Sequence, residues 1–538
     1  MRRAGWGVAL LGATCAIAGC GGGAGGGAAA PGAAPGATDA GAASPGGGAG
    51  GAIVWGKPAE VLERDPAKSF NGVDWEIYGQ VYDGLTTMGD DLKVEPDLAE
   101  RWEQPSPTKY VFHLRDAKFS NGRAVTADDV VGSLKRVLDP KTAAFWAGNL
   151  GPVKKIVATD PKTVEIDLKK PYTPLLASLA HAGASILPMK ELEAGTFNPK
   201  KQFLGTGPWM EVAHLADQQW TFKRNPHYWQ SGYPKASQLI VKIIPDDSAR
   251  TAALRSGSVN IATFENPDAA KLLSAIPGTK TVIQRTTDYY RLDMNAVNPK
   301  SKVYDQTVRQ ALQMAIDRTQ ILKLALGGVG EVTPATSPAQ STSCQSSLGT
   351  DYFKKNVEKA KQLLASVGAS NLKLNLIATP AFAQFPPIAQ IIQRNWAAIG
   401  VKATIQQLEV GNWEKLEFTD NPSNFDAAMS YNAGFGDPGS NLNNYSPVYV
   451  PSDAGWDKKD PGLETLLGQI NQLPNGSKRD QLMQQACTRI DVESNQIPLV
   501  TRPKIIGYTE SALTPVFQGT EGYVDPLRYT YKYTVGGS

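Results

Sequence analysis

Leu372-Lys-Leu-Asn-Leu-Ile377 sets Leu372, Leu374 and Leu376 on one face of an extended chain, the pattern of a strand packed on one side. A helical pattern follows from Ile388 to Ile399 and is ended by Gly400, after which Val401-Lys-Ala-Thr-Ile405 reads as the next strand. Strand, helix and strand at this spacing make a βαβ unit, with parallel strands and a right-handed crossover expected. The fold class is therefore α/β. Working outward, Val308, Ala311, Leu312, Ala315 and Ile316 keep helical spacing in a helix expected to run on to Gly327-Gly328. Val357 to Val367, Leu463 to Ile470 and Ser477 to Ile490 also read as helices, and Ile497-Pro-Leu-Val500 is a further apolar run. In the first half, Tyr110 to Arg115, Val164 to Leu168, Trp220 to Phe222 and Leu239 to Ile244 read as strands. Thr126-Ala-Asp-Asp129 is a capping box that opens a helix, and Asp246, Asp247 and Ser248 cap another over 249–255.

Downstream of the βαβ unit, Phe425-Asp-Ala-Ala-Met-Ser-Tyr-Asn-Ala-Gly-Phe-Gly-Asp-Pro438 runs from an apolar strand into a turn with Tyr431 and Phe435 at its corner. Strand ends of this kind free backbone groups and let a ligand approach closely. Gly434-Phe-Gly436-Asp-Pro-Gly439 also fits the dinucleotide fingerprint. That reading requires a helix at its third glycine, and Ser440 to Pro447 is a poor helix former.

The N-terminus reads as an address. Arg2 and Arg3 precede a short apolar run from Trp6 to Ala18, and Ile17-Ala-Gly-Cys20 closes it. This ending resembles the lipobox of bacterial lipoproteins, which implies a signal peptide over 1–20 and lipid attachment at Cys20. The alternative is an ordinary signal peptide with an incidental cysteine. Residues 21–52 are almost entirely Gly, Ala and Pro, with Asp39 the only charge, and make a flexible tether about 30 Å end to end. The body from Ile53 onward is long enough for two or three domains.

Composition excludes several classes of function. With 54 Lys and Arg against 51 Asp and Glu and no long basic run, nucleic acid is not expected as a partner. The four histidines, His113, His181, His214 and His227, lack metal-site spacing, and the body holds no H-E-x-x-H, C-x-x-C or G-x-S-x-G motif. Neither a metal, nor a cofactor, nor enzymatic activity is expected. Cys344 and Cys487 are the cysteines left in the body, either as a disulfide or as two buried thiols.

A series of motifs resembles the extracellular solute-binding proteins of the peptide/nickel type, family five. It comprises Val81-Tyr-Asp-Gly-Leu85, Pro96-Asp-Leu-Ala-Glu-Arg-Trp102, Tyr110 to Phe119, Asn121 to Val131, Gly205-Thr-Gly-Pro208, Arg224 to Trp229, Ile244 to Arg250 and Val308 to Arg318. The resemblance covers about residues 53–535. It implies a two-lobed periplasmic-binding-protein-like clamp (type II, large peptide-binding class) with mixed sheets and solute in the interlobe cleft. Residues 53–289 and 505–538 would form lobe I, with an inserted subdomain over about 100–215, and residues 290–504 would form lobe II. The implied partners are a small solute and the permease subunits of an ABC importer. The implied state is a monomer, extracytoplasmic and lipid-anchored to the bacterial cell membrane.

The resemblance also implies site residues. Gly436-Asp437-Pro438 matches the family's turn, which puts Gly434 where peptide binders carry an amine-pairing aspartate and Ala428 where some carry an arginine. Trp413 and Tyr431 match cleft aromatics, and Asn432, Phe435, Asp74, Trp75 and Tyr290 complete the expected ligand-binding set. Asp437, before a proline, suits a turn better than a ligand contact. An oligopeptide or peptide-like solute is the leading expectation. The missing acid at Gly434 opens a neutral alternative: an oligosaccharide, a glycoconjugate or an N-blocked peptide. Outside transport, the alternatives are a regulatory lipoprotein that binds a protein and an extracytoplasmic hydrolase.

Overall fold

The computed structural model describes residues 50–69, 71–337, 340, 344, 349–523 and 525–536. The signal segment, Cys20 and nearly all of the tether lie outside the described residues. The first strand opens at Ala52, one residue ahead of the body expected from the sequence.

Two sheets carry the architecture. The first has seven strands in the order Thr279–Gln284, Lys504–Thr509, Ile261–Phe264, Ala52–Lys57, Gln238–Ile243, Gln219–Arg224 and Trp209–Leu215. Ala52–Lys57 is central and parallel to both neighbours. That position explains its largely apolar run, because a strand covered on both faces gains from burying each side chain. Lys57 is the exception, buried and paired with Glu76 at 3.0 Å.

The second sheet has five strands in the order Lys402–Gln407, Lys373–Ala378, Ala427–Asn432, Tyr289–Met294 and Gln496–Thr501. Lys373–Ala378 and Lys402–Gln407 pair in parallel around the helix Phe385–Ala397, the βαβ unit read from the sequence. A separate four-stranded antiparallel sheet spans 99–168, with Tyr110, Phe112 and Leu114 turned into its core beside Val164 and Ile166. Its helix, Ala127–Leu138, begins with the expected capping box of Thr126 and Asp129.

The helix expected to run on to Gly327 is instead two helices, Gln306–Ala315 and Arg318–Ala325. Ile316 turns extended, and the Asp317 carboxylate accepts from the Gln320 N–H at 2.8 Å, capping a new start. Two short links join the large sheets, residues 285–288 and residues 502–503. They run side by side: the Thr286 hydroxyl donates to the Arg502 carbonyl at 2.9 Å, and the Arg502 N–H donates to the Asp288 carbonyl at 2.9 Å. Among the described residues, no helix is long and apolar enough to cross a membrane.

Candidate functional site

The strand Ala427–Asn432 ends at the corner singled out in the sequence, and a cavity of about 410 Å³ opens there. That volume falls in the usual range for small-molecule sites. One wall is aromatic and built from the five-stranded sheet and its helices. The Phe382 ring meets Trp413 edge-on at 5.7 Å and Tyr431 at 5.2 Å, and Trp413 meets Phe418 at 5.6 Å. The helix Val410–Glu414 delivers Trp413, whose indole N–H donates to the Met429 carbonyl at 3.2 Å and so fixes the ring. Across the cavity stand Trp75, from the helix Gly72–Val81, and Phe145, stacked at 6.4 Å. Phe435 closes the corner, 5.2 Å from the Trp146 ring.

Polar groups line the remaining surface. Arg291 and Asp453, both almost fully buried, face the cavity together with the half-buried Glu414. Arg291 Nε lies 3.0 Å from Asp293, and Nη1 donates to Asn432 Oδ1 at 3.1 Å and to Gln496 Oε1 at 2.7 Å. Behind it, Asp293 and Glu417 form a buried carboxyl pair. Burial and the neighbouring Asp293 push Glu417 well above the usual range. Burial likewise raises Asp453 to about 7, against the pull of Arg291.

Of the seven residues expected to bind ligand, Trp413, Tyr431, Asn432, Phe435 and Trp75 line this one cavity. Asp74 and Tyr290 do not. The Asp74 carboxylate is fully buried and accepts from the Leu62 N–H at 2.7 Å, the Glu63 N–H at 3.3 Å and the Ser69 hydroxyl at 2.7 Å. It pins the 62–63 loop and has no face left for solute. Tyr290 lies opposite Tyr431 in the strand register but is buried behind the aromatic wall, packed edge-on to Phe385 at 6.2 Å. Arg291 and Asp453 were not expected. The available signal was Arg291 and Asp293 placed inside the otherwise apolar Tyr289-Tyr-Arg-Leu-Asp-Met294.

The corner also corrects two readings. A short helix, Pro438–Asn443, does follow the glycine cluster, because Asp437 Oδ1 accepts from the Ser440 N–H at 2.9 Å and Pro438 suits the first turn. The glycines serve packing there. A Cβ on Gly436 would lie 2.4 Å from Met88, and one on Gly439 would lie 2.3 Å from Arg479. Asp437 is indeed a turn residue, and its carboxylate is held by the Arg479 guanidinium at 2.8 and 2.9 Å. Gly434 does not face the cavity. Cys344 and Cys487 are joined as a disulfide with their Cα atoms 5.4 Å apart.

Comparison with known proteins agrees with this architecture. The family described as "Bacterial extracellular solute-binding proteins, family 5 Middle" matches residues 93–456. Heme-binding protein A of Haemophilus influenzae is 27% identical over 517 residues, covering 89% of this chain and 89% of that protein. Di/tripeptide-binding protein 1 of Pseudomonas aeruginosa is 28% identical over 468 residues, covering 78% and 83%. Among solved structures, the binding protein AgaA of A. tumefaciens R10 in complex with agropinic acid superposes with a TM-score of 0.80 at 25% identity, covering 91% of this chain and 99% of that one. DppA of Helicobacter pylori in complex with the peptide STSA gives 0.79 at 23%, covering 90% and 98%. A two-lobed mixed α/β fold, a cavity at a strand corner and a family match across most of the chain converge: this protein belongs to the bacterial extracellular solute-binding proteins of family 5.

Proposed function

We propose that the protein captures a peptide or peptide-like solute in the aromatic cavity and delivers it to the permease of an ABC importer. The coarser statement follows from the family: it is an extracytoplasmic solute-binding protein of an ABC importer and not an enzyme. The observation that carries the finer reading is the pairing of facing aromatic walls with a buried arginine and aspartate in one cavity. Aromatic faces take up side chains without strict selection, and charged groups at the base orient a solute that carries charge of its own. Relatives named for di- and tripeptides and a structural relative bound to agropinic acid are in keeping with such a solute.

In this reading residues 53–289 with 505–538 form one lobe and 290–504 the other, and the links at 285–288 and 502–503 are the hinge. Closure of the hinge would bring the two walls onto the solute. Cys20 carries lipid and residues 21–52 span from the membrane to the body. A neutral solute is the second reading, favoured by a strand corner that offers the cavity no free carboxylate, since Gly434 packs on Thr287 and Asp437 is held by Arg479. A thermal-shift screen with free-amine peptides, their N-acetylated forms and oligosaccharides tests the choice. Stabilisation by peptides supports the proposal, and stabilisation by oligosaccharides alone overturns it. Retention of a Cys20→Ser variant in the membrane would refute lipid attachment at that residue.

A further inference from the structure

The cavity needs an acceptor if its solute carries an ammonium group, and the nearby carboxylates are not equivalent. Asp437 is committed to Arg479. Asp288 is fully buried, accepts from the Gly434 N–H at 2.8 Å and lies 3.6 Å from Arg502. Asp293 pairs with Arg291 and with Glu417. Asp457 accepts from the Asn495 and Gln496 amides, each at 3.1 Å. Asp453 differs from all four. It lines the cavity, accepts from the Ser452 hydroxyl at 3.1 Å, and stands 3.9 Å from Arg291 Nη2, beyond hydrogen-bond reach.

Arg291 does not turn the cavity toward anions. Its charge is matched at 3.0 Å by Asp293, and two amide oxygens take its Nη1. The other charged groups lining the cavity, Glu414 and Asp453, are both acidic. From these contacts we infer that Asp453 is the residue that receives a primary ammonium group of the solute, a role displaced from the strand corner to the turn Pro451–Gly455. The inference rests on the peptide reading above and names the residue that sets its specificity.

Binding is then linked to protons. Asp453 is buried among Arg291 and Asp293 on the strand Tyr289–Met294, Glu417 on the neighbouring turn Lys415–Thr419, and Asp457 beyond its own turn. An incoming ammonium favours the ionised carboxyl, so affinity rises as pH increases from about 5 to 6.5, below the range in which a peptide amine itself deprotonates. An anion bound at Arg291 would give the opposite slope.

The test uses the full chain, a tripeptide library with free amines, and its N-acetylated twin, read by the fluorescence of the cleft tryptophans. Expected are tighter binding of the free-amine library, a loss of more than tenfold in Asp453→Asn, and a change of less than threefold in Glu193→Gln, an exposed acid outside the cavity. The pH slope is measured on the unmodified protein, so the test stands even if Asp453→Asn does not fold. Equal binding of both libraries, retained affinity in a folded Asp453→Asn, or affinity falling with pH over that range would overturn the assignment while leaving peptide capture intact. Binding of neither library overturns peptide capture and the assignment with it.

Discussion

A Cβ built on Gly434 would lie 2.0 Å from Thr287 Oγ1 and 2.4 Å from the Thr287 carbonyl carbon, so the strand corner packs directly on the link between the sheets. The Gly434 N–H completes the contact by donating to Asp288 at 2.8 Å. Restoring an acidic side chain here is therefore expected to fail. Gly434→Asp should lose about 1–3 kcal/mol or more of stability, in line with overpacking of a filled site, and should gain no affinity for free-amine peptides. Denaturation in urea and a peptide titration check both halves. Thr287→Ala should not rescue the variant, because backbone as well as side chain obstructs the position.

The Asp437–Arg479 pair anchors the other side of the corner. Both side chains are buried, and the guanidinium holds the carboxylate bidentately while Asp437 caps the helix Pro438–Asn443. Removing one partner strands a buried charge. Arg479→Met should cost about 3–5 kcal/mol, and the double variant with Asp437→Asn should recover part of that loss. Equal stability of the two variants in urea would contradict the assignment.

These contacts show where reading the sequence stops. The alternation in Tyr110 to Leu114 and in Leu374 and Leu376 was legible because each strand buries one face and the pattern records it. The pairing of Lys504–Thr509 with Ile261–Phe264 and Thr279–Gln284 left no mark in the residue pattern, because such strands do not record their partners, and it was the family resemblance that put 505–538 with the first lobe. Five cleft residues were reached through the strand corner and the family motifs. Asp453 was missed because it sits in a short turn whose sequence, Pro-Ser-Asp-Ala-Gly455, reads as ordinary turn chemistry. Gly434 was misjudged for a related reason. Its alignment gave the position along the chain but not the direction a side chain would take.

Several buried acids predict an unusual pH profile. Burial raises Asp74 to about 6, and Asp453 and Asp491 to about 7, from the usual aspartate value of about 3.9. Between about pH 4 and 7 the folded state therefore holds more protons than the unfolded chain, and stability falls as pH rises through that window. Acids held low work in the other direction only under more acidic conditions. At Asp460 burial is outweighed by Arg489, so its contribution is lost as pH falls below about 4. Urea unfolding should show greater stability at pH 5 than at pH 7.5, by at least about 1.4 kcal/mol, the linkage value of a single pKa unit. A maximum above pH 7 would contradict this reading.

The disulfide predicts a redox effect of defined size. Cys344 and Cys487 are 143 residues apart in sequence and buried beside Tyr289, Leu442 and Met483. Reduction, or the double variant Cys344→Ser with Cys487→Ser, should lower stability by about 2–5 kcal/mol. Unfolding with and without reductant measures it, and the reduced double variant should show no further change.

Arg502 links the hinge to the cleft wall. Its guanidinium carbon lies 4.3 Å from the centre of the Tyr431 ring, while Nη2 pairs with Glu265 at 2.6 and 2.7 Å. Lys504 also reaches Glu265, at 2.5 Å. Burial would raise the Glu265 carboxyl, but Arg502 and Lys504 outweigh it and hold the group far below the usual range. Glu265→Gln removes the charge that two buried cations share, leaving Arg502 with Asp288 at 3.6 Å as its remaining acidic neighbour. With about a third of the Glu265 side chain exposed, water screens the loss, and the expected cost is about 1–3 kcal/mol. Because Arg502 also covers Tyr431, the same variant should weaken solute binding, whereas Lys504→Met should lower stability with little effect on affinity. Parallel urea and binding titrations separate the two. Equal effects of both variants on affinity would show that Arg502 does not position the tyrosine.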